Sequence, residues 1–149
     1  MVDVDARKML EPFRALVGAW WTEATHPMVP GVVVHGRATF EWLLGERFLI
    51  ERSDTDHKDF PDAVSVIGVM EGQRALSMQY FDSRGVHRIY DVAFDGKVLS
   101  IKRDAPGFMQ RAAMRVSDDG ASFGGVWQLN ERDAGFRDDM AITFRRVSR

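Results

Sequence analysis

A closed, antiparallel, up-and-down β-barrel of ten strands, capped by one short N-terminal helix, is the fold that this sequence predicts. Three observations lead there. Hydrophobic periodicity is helical only over residues 5–17, then switches to a period of two and keeps it almost to the C-terminus. The alternating runs are joined mainly by short turns, which pair neighbours antiparallel in chain order. Ten strands also approach the size at which an open twisted sheet must curl, and closure removes its exposed edges.

The helix comes first. Asp5 can cap it, and Met9, Leu10, Phe13, Leu16 and Val17 form one apolar stripe. Pro12 lies inside the stretch, so the helix either restarts there or consists of two short turns. Gly18 ends it. Strands are then expected over residues 19–25, 32–42, 47–53, 63–70 and 75–81, with a Pro-Gly loop from His26 to Gly31 and a polar loop over 54–62. Five more follow over 86–94, 98–103, 108–116, 122–130 and 137–147. The turn signals between them include Asp95-Gly96, Asp104-Ala105-Pro106-Gly107, Ser117–Gly120 and Asp133-Ala134-Gly135. Residues 1–149 make a single domain on this expectation, with the barrel over 18–147.

The clearest hairpin is Met78–Tyr90. Asp82 opens a type I turn and Gly85 supplies the positive φ that a three-residue loop needs. In that register Tyr80 lies opposite Arg88 and Met78 opposite Tyr90, all on one face. Two tyrosines and an arginine on a half-apolar face are more than a plain hairpin requires. They are the best lead to a site.

The composition excludes several classes. Hydrophobic residues make up 45% and charged residues 28%, a globular balance. A net charge of -2 gives no reason to expect nucleic acid or an acidic membrane as partner. With no cysteine there is no disulfide, thiolate metal site or Cys nucleophile. No apolar run approaches a membrane span and the first residues are acidic, so a cytoplasmic, non-inserting protein is expected, monomer or homodimer.

At Gly18-Ala19-Trp20 a Gly-x-Trp opens the first strand directly after a short helix, and Arg145-Arg146 closes the last. This combination resembles the calycins, the lipocalin and fatty-acid-binding superfamily. The resemblance implies that Arg145 or Arg146 packs over Trp20 where the first and last strands meet. Over nearly its whole length the chain is similar to an uncharacterised group of bacterial lipocalin-like proteins. The shared stretches are Thr25–Gly31, Tyr80–Arg88, Asp104–Phe108 and Arg145-Arg146-Val147. A more distant likeness is to the nitrobindins, ten-stranded barrels that bind heme and also carry a Gly-x-Trp strand, with a Tyr-Pro loop that would align with His26-Pro27. Their iron ligand is a His near the last strand. This chain has no His after His87, so no cofactor is expected.

An up-and-down barrel turns alternate side chains inward. Phe40, Trp42, Phe48, Ile50, Met78, Phe123, Trp127, Leu129, Met140, Ile142 and Phe144 would build an aromatic, Met-rich interior, either a pocket or a filled core. The polar residues that would share it are Arg52, Tyr80, Arg88, Tyr90 and Gln110. An inward arginine must meet a carboxylate, a phenol or an acidic ligand, because its buried charge is otherwise costly. The alternative is that these residues face outward and pair with Glu41, Glu51 or Asp91.

The leading expectation is therefore a small hydrophobic or amphipathic ligand held inside the barrel, its polar end fixed by Arg88, Tyr80 and Tyr90. The enzyme alternative is an isomerase, lyase or hydrolase with Tyr80 as acid or base beside Arg88 and with Glu51 or Asp82 as partner. A heme protein and a purely structural barrel are the remaining classes. His26, His35 and His87 are too scattered to predict a metal site. Asp54–Asp59 lacks the Gly and Glu of an EF-hand loop. Gly120-Ala121-Ser122-Phe123-Gly124 matches Gly-x-Ser-x-Gly, but a turn precedes it and a strand follows, the wrong context for a nucleophile elbow. Lys102, Arg103, Arg111 and Arg115 would form only a small positive face.

Overall fold

The computed structural model describes residues 5–147. Pro12 divides the N-terminal helix. An α-helix, α1, spans Ala6–Leu10, and the Asp5 carboxylate accepts the Lys8 backbone N–H at 3.2 Å. A 3-10 helix, Glu11–Leu16, continues the chain with Pro12 in its first turn, where a missing N–H breaks no hydrogen bond. Both pieces turn one apolar stripe the same way, and Leu10, Phe13 and Leu16 are completely buried.

Ten strands follow: β1 (Gly18–Thr25), β2 (Val34–Leu43), β3 (Phe48–Thr55), β4 (Ala63–Val69), β5 (Leu76–Asp82), β6 (His87–Phe94), β7 (Val98–Ala105), β8 (Phe108–Val116), β9 (Ser122–Glu131) and β10 (Arg137–Arg146). Each pairs antiparallel with the next and β10 returns to β1, so the sheet closes. The expected fold is the observed one. Its bounds move by a residue or two, the largest extensions being β3 to Thr55 and β7 to Ala105. In the central turn the Gly85 N–H bonds to the Asp82 carbonyl at 2.9 Å, and Gly85 has a φ of 83°.

The seam is held by side chains as well as backbone. Trp20 pairs with Arg146 across β1 and β10, and the Arg146 guanidinium lies over the Trp20 ring. The Trp20 indole N–H donates to the Leu16 carbonyl at 2.8 Å, tying the barrel to the 3-10 helix. Arg145 points the other way, to Glu23 on the outer wall at 3.1 Å. Of the two candidate arginines, Arg146 is the one that closes the barrel.

At the helix end the floor is solid. Phe13 meets Phe94 edge-on, the Trp20 edge meets Phe123, and Phe123 stacks on Phe144 at 4.2 Å. The opposite end carries the turns after β1, β3, β5, β7 and β9. Among the described residues no helix is long and apolar enough to cross a membrane.

One strand faces opposite to expectation. Phe40 is buried inside and pairs with Glu51, so β3 turns Leu49, Glu51 and Ser53 inward. Phe48, Ile50 and Arg52 consequently lie on the outer wall. Arg52 is 3.8 Å from Glu41 there, and Phe48 lies over Gly68, where a Cβ would collide with its ring. The run Phe48-Leu49-Ile50 is apolar on both faces. Alternation therefore gives no phase until the strand is paired.

Candidate functional site

A register row crosses the wall above the aromatic floor. Phe40 pairs with Glu51, Glu51 with Ser65, Ser65 with Tyr80, and Tyr80 with Arg88. Neighbouring strands lie about 4.8 Å apart and paired residues share a face. The row therefore places a carboxyl, a hydroxyl, a phenol and a guanidinium side by side on the inner surface.

From Phe40 to Tyr80 this row borders an internal cavity of about 210 Å³. Its wall is mainly apolar, with Val34, Ile67, Met78, Met114, Trp127, Met140 and Ile142 prominent, and Thr22, Glu51, Ser53, Ser65 and Tyr80 supply polar atoms. Thr55, Phe60 and Pro61 lie at its open end. Several inward residues, among them Glu51, Tyr80, Trp127, Met140 and Ile142, keep partial exposure although they sit on the inner face. Their exposed surface is cavity surface.

Three aromatic rings stand along one side. Tyr80 meets Tyr90 edge-on at 6.3 Å, and Tyr90 meets Trp127 at 5.7 Å. The Tyr90 hydroxyl donates to Gln110 Oε1 at 3.2 Å. The Tyr80 hydroxyl donates to Asp82 Oδ2 at 2.7 Å, and Asp82 also accepts from the Arg84 guanidinium and backbone N–H. Arg84, together with the bond from Tyr80, holds the Asp82 carboxyl well below the usual carboxylate range. Burial, reinforced by Asp82, pushes the Tyr80 phenol up. Tyr80 is thus fixed as a neutral phenol whose proton is already engaged.

Glu51 has the opposite environment. No hydrogen bond or ion pair reaches its carboxyl among the described residues, and burial alone pushes its pKa up to about 7. Its register neighbours are Phe40 and Ser65, neither of them a cation.

The sequence-derived candidates divide accordingly. Met78, Tyr80 and Trp127 line the cavity. Tyr90 is buried and reaches it only through Tyr80 and Trp127, with Gln110 behind. Arg88 sits nearer the open end, its guanidinium 5.3 Å from the centre of the Phe108 ring. Arg52 is outside, and the inward polar side chains beside it on its strand are Glu51 and Ser53. Thr22, Ser53 and Ser65 escaped notice because short hydroxyl residues are common on either face of a strand. The one available signal was the alternation Glu51-Ser53-Thr55 once β3 is phased by Phe40.

The remaining motifs have structural partners. His26 Nδ1 accepts the Met28 N–H at 3.0 Å, while its Nε2 lies 3.3 Å from Asp139. His87 stacks on Phe81 at 4.5 Å on the outer wall. His35 lies between Glu23 and Asp56, each 3.8 Å away. Among the described residues no group of three or more His, Asp or Glu converges as a metal site. Ser122 opens β9 after a turn, so its neighbourhood has no elbow. Lys102 pairs with Arg111 and shares the outer wall with Arg115, while Arg103 turns to the inner side and donates to the Phe108 carbonyl. Lys102 also lies near Asp104 and Arg111 covers Phe136, so the positive face is small.

No family model matches the chain. No curated protein matches it either. Among solved structures the chain is similar to Rv2717c from M. tuberculosis, with a TM-score of 0.65 at 16% identity over 98% of this chain and 100% of that one. A redesigned β-barrel aligns with a TM-score of 0.42 at 11% identity over 99% and 100% of the two chains, too remote to carry weight. Likeness at such identity shows the barrel fold alone.

Proposed function

We propose that this chain is a lipocalin-like binding protein that holds one small apolar or amphipathic molecule inside its barrel. The observation that carries the proposal is the cavity of about 210 Å³, apolar on most of its wall and polar along one row. Small-molecule sites combine these features, a dry surface for affinity and a few placed polar groups for orientation. A cavity of roughly 150 Å³ takes a benzene-sized guest, whereas drug-sized ligands need about 300 Å³ or more. The ligand is therefore a one-ring or short-chain molecule. Met78 and Trp127 would form its apolar bed, with Tyr80 at its polar side. Tyr90 and Gln110 would support the rings, and Arg88 would act at the open end.

Native mass spectrometry of freshly purified protein tests this directly. A bound small molecule is expected in the wild type and lost in Ile142→Trp, which fills the cavity. Equal retention in that variant would place the molecule elsewhere and remove the proposal.

The 2.7 Å bond between Tyr80 and Asp82 supports a second reading, a barrel enzyme in which these two residues share a proton. The environment favours it less, because a phenol with a raised pKa stays protonated near neutral pH, so its base form is not populated and it is a weak acid. Turnover of any identified ligand, abolished in Tyr80→Phe with binding intact, would be its signature.

A further inference from the structure

The proposed ligand site contains an uncompensated acid. Of the residues bordering the cavity, Glu51, Asp54 and Tyr80 are the titratable ones, and none is Lys, Arg or His. Asp54 pairs with Arg37 in register and lies on the outward side of β3, exposed to solvent. Tyr80 is a neutral phenol engaged with Asp82. The nearby cations are also occupied: Arg52 faces outward toward Glu41, Arg88 covers Phe108 beyond Tyr80, and Arg103, opposite Gln110, donates to the Phe108 carbonyl. Among the described residues Glu51 is the one that presents a carboxyl to the cavity without a partner, with Thr22, Ser53 and Ser65 hydroxyls around the same space.

A carboxyl facing a mainly apolar cavity without a partner is disfavoured when ionised and is stabilised by staying protonated or by meeting a cation. A carboxylate-headed guest would set two like charges together. A protonated amine would form a charge-assisted hydrogen bond, and its other N–H groups have hydroxyl oxygens to reach. Resting on the ligand-binding function proposed above, we infer that the barrel's ligand class is the small primary amine, one ring or short apolar chain bearing a protonated nitrogen, with Glu51 as its counter-ion. This reverses the polarity expected from an interior arginine. Glu51 borders the cavity, whereas Arg52 is outside, Arg88 lies toward the open end and Arg146 is at the floor over Trp20.

Titration calorimetry with benzylamine, benzyl alcohol and benzoate, on wild type and Glu51→Gln above neutral pH, tests the assignment. Wild type is expected to bind benzylamine at least about tenfold more tightly than benzyl alcohol and to reject benzoate. Glu51→Gln should lose the preference for the amine over the alcohol. Equal affinity for amine and alcohol, or an amine preference that survives in Glu51→Gln, would overturn the role of Glu51 and leave the cavity as a neutral binding site. Failure of all three probes, together with no co-purified molecule in the wild type, would remove the binding function itself.

Discussion

The Arg146 guanidinium lies 4.2 Å from the centre of the Trp20 ring and donates to the carbonyls of Val17 and Ala15 at 2.9 and 2.7 Å. One side chain thus joins the last strand, the first strand and the 3-10 helix. Two charge-assisted bonds and a cation–π contact make Arg146→Ala costly, by about 2–4 kcal/mol in urea unfolding. Arg146→Lys should recover little, since an ammonium cannot form the planar fork. Arg145→Ala should stay within about 0.5 kcal/mol of wild type, because its pair with Glu23 is exposed.

Glu51 should make the ligand-free protein respond to pH in an unusual direction. Its folded pKa of about 7 lies above the ordinary 4.5, so between these values the folded state holds a proton that the unfolded state releases. Stability from this group is full below the lower value and is lost as pH rises through the higher one. The difference amounts to roughly 3 kcal/mol at most. Glu51→Gln should therefore raise the Tm relative to wild type in mildly alkaline buffer and leave it nearly unchanged in acid. A constant offset across pH would show that the carboxyl is solvated.

Asp82 acts with the opposite sign. Its depressed pKa contributes stability above the ordinary aspartate range, lost as pH falls through the folded value. Asp82→Asn should be destabilising near neutral pH, by about 1–3 kcal/mol, with the gap closing in strong acid. Tyr80→Phe, which removes one donor and leaves Arg84 in place, should cost about 1 kcal/mol. Paired urea titrations at neutral and acid pH distinguish the two.

Gly125 tests the packing of the wall. A Cβ there would run into the Ala113 backbone carbonyl on β8, so Gly125→Ala must push β8 and β9 apart. A loss of about 1–3 kcal/mol is expected, measured by chemical denaturation. Gly107→Ala, in an open turn with a φ of 75°, meets no neighbour, and its cost of about 1 kcal/mol would come from backbone conformation alone.

Much of the barrel was written in local pattern. The turn Asp82–Gly85 sets the register that places Tyr80 against Arg88, because Gly85 accepts the positive φ and side chains alternate beyond it. The Gly-x-Trp start and the arginine pair announced the seam, although neither could say which arginine turns inward. The phase of β3 was not legible. Phe48, Leu49 and Ile50 satisfy both faces equally, and only pairing with β2 and β4 decides that Glu51 goes in and Arg52 goes out.

By itself, then, the sequence determined the strand count, the order of pairing, the capped end and the single face shared by Met78, Tyr80, Arg88 and Tyr90, since these follow from short-range periodicity and turn chemistry. That this face turns inward came only with closure of the sheet. Tertiary structure alone decided that the interior keeps a cavity of about 210 Å³ and that its unpaired charge-capable group is the carboxyl of Glu51. The physical reason is the same for both. Void volume and the burial of a charge depend on how all ten strands close around a shared space. No single strand carries that information.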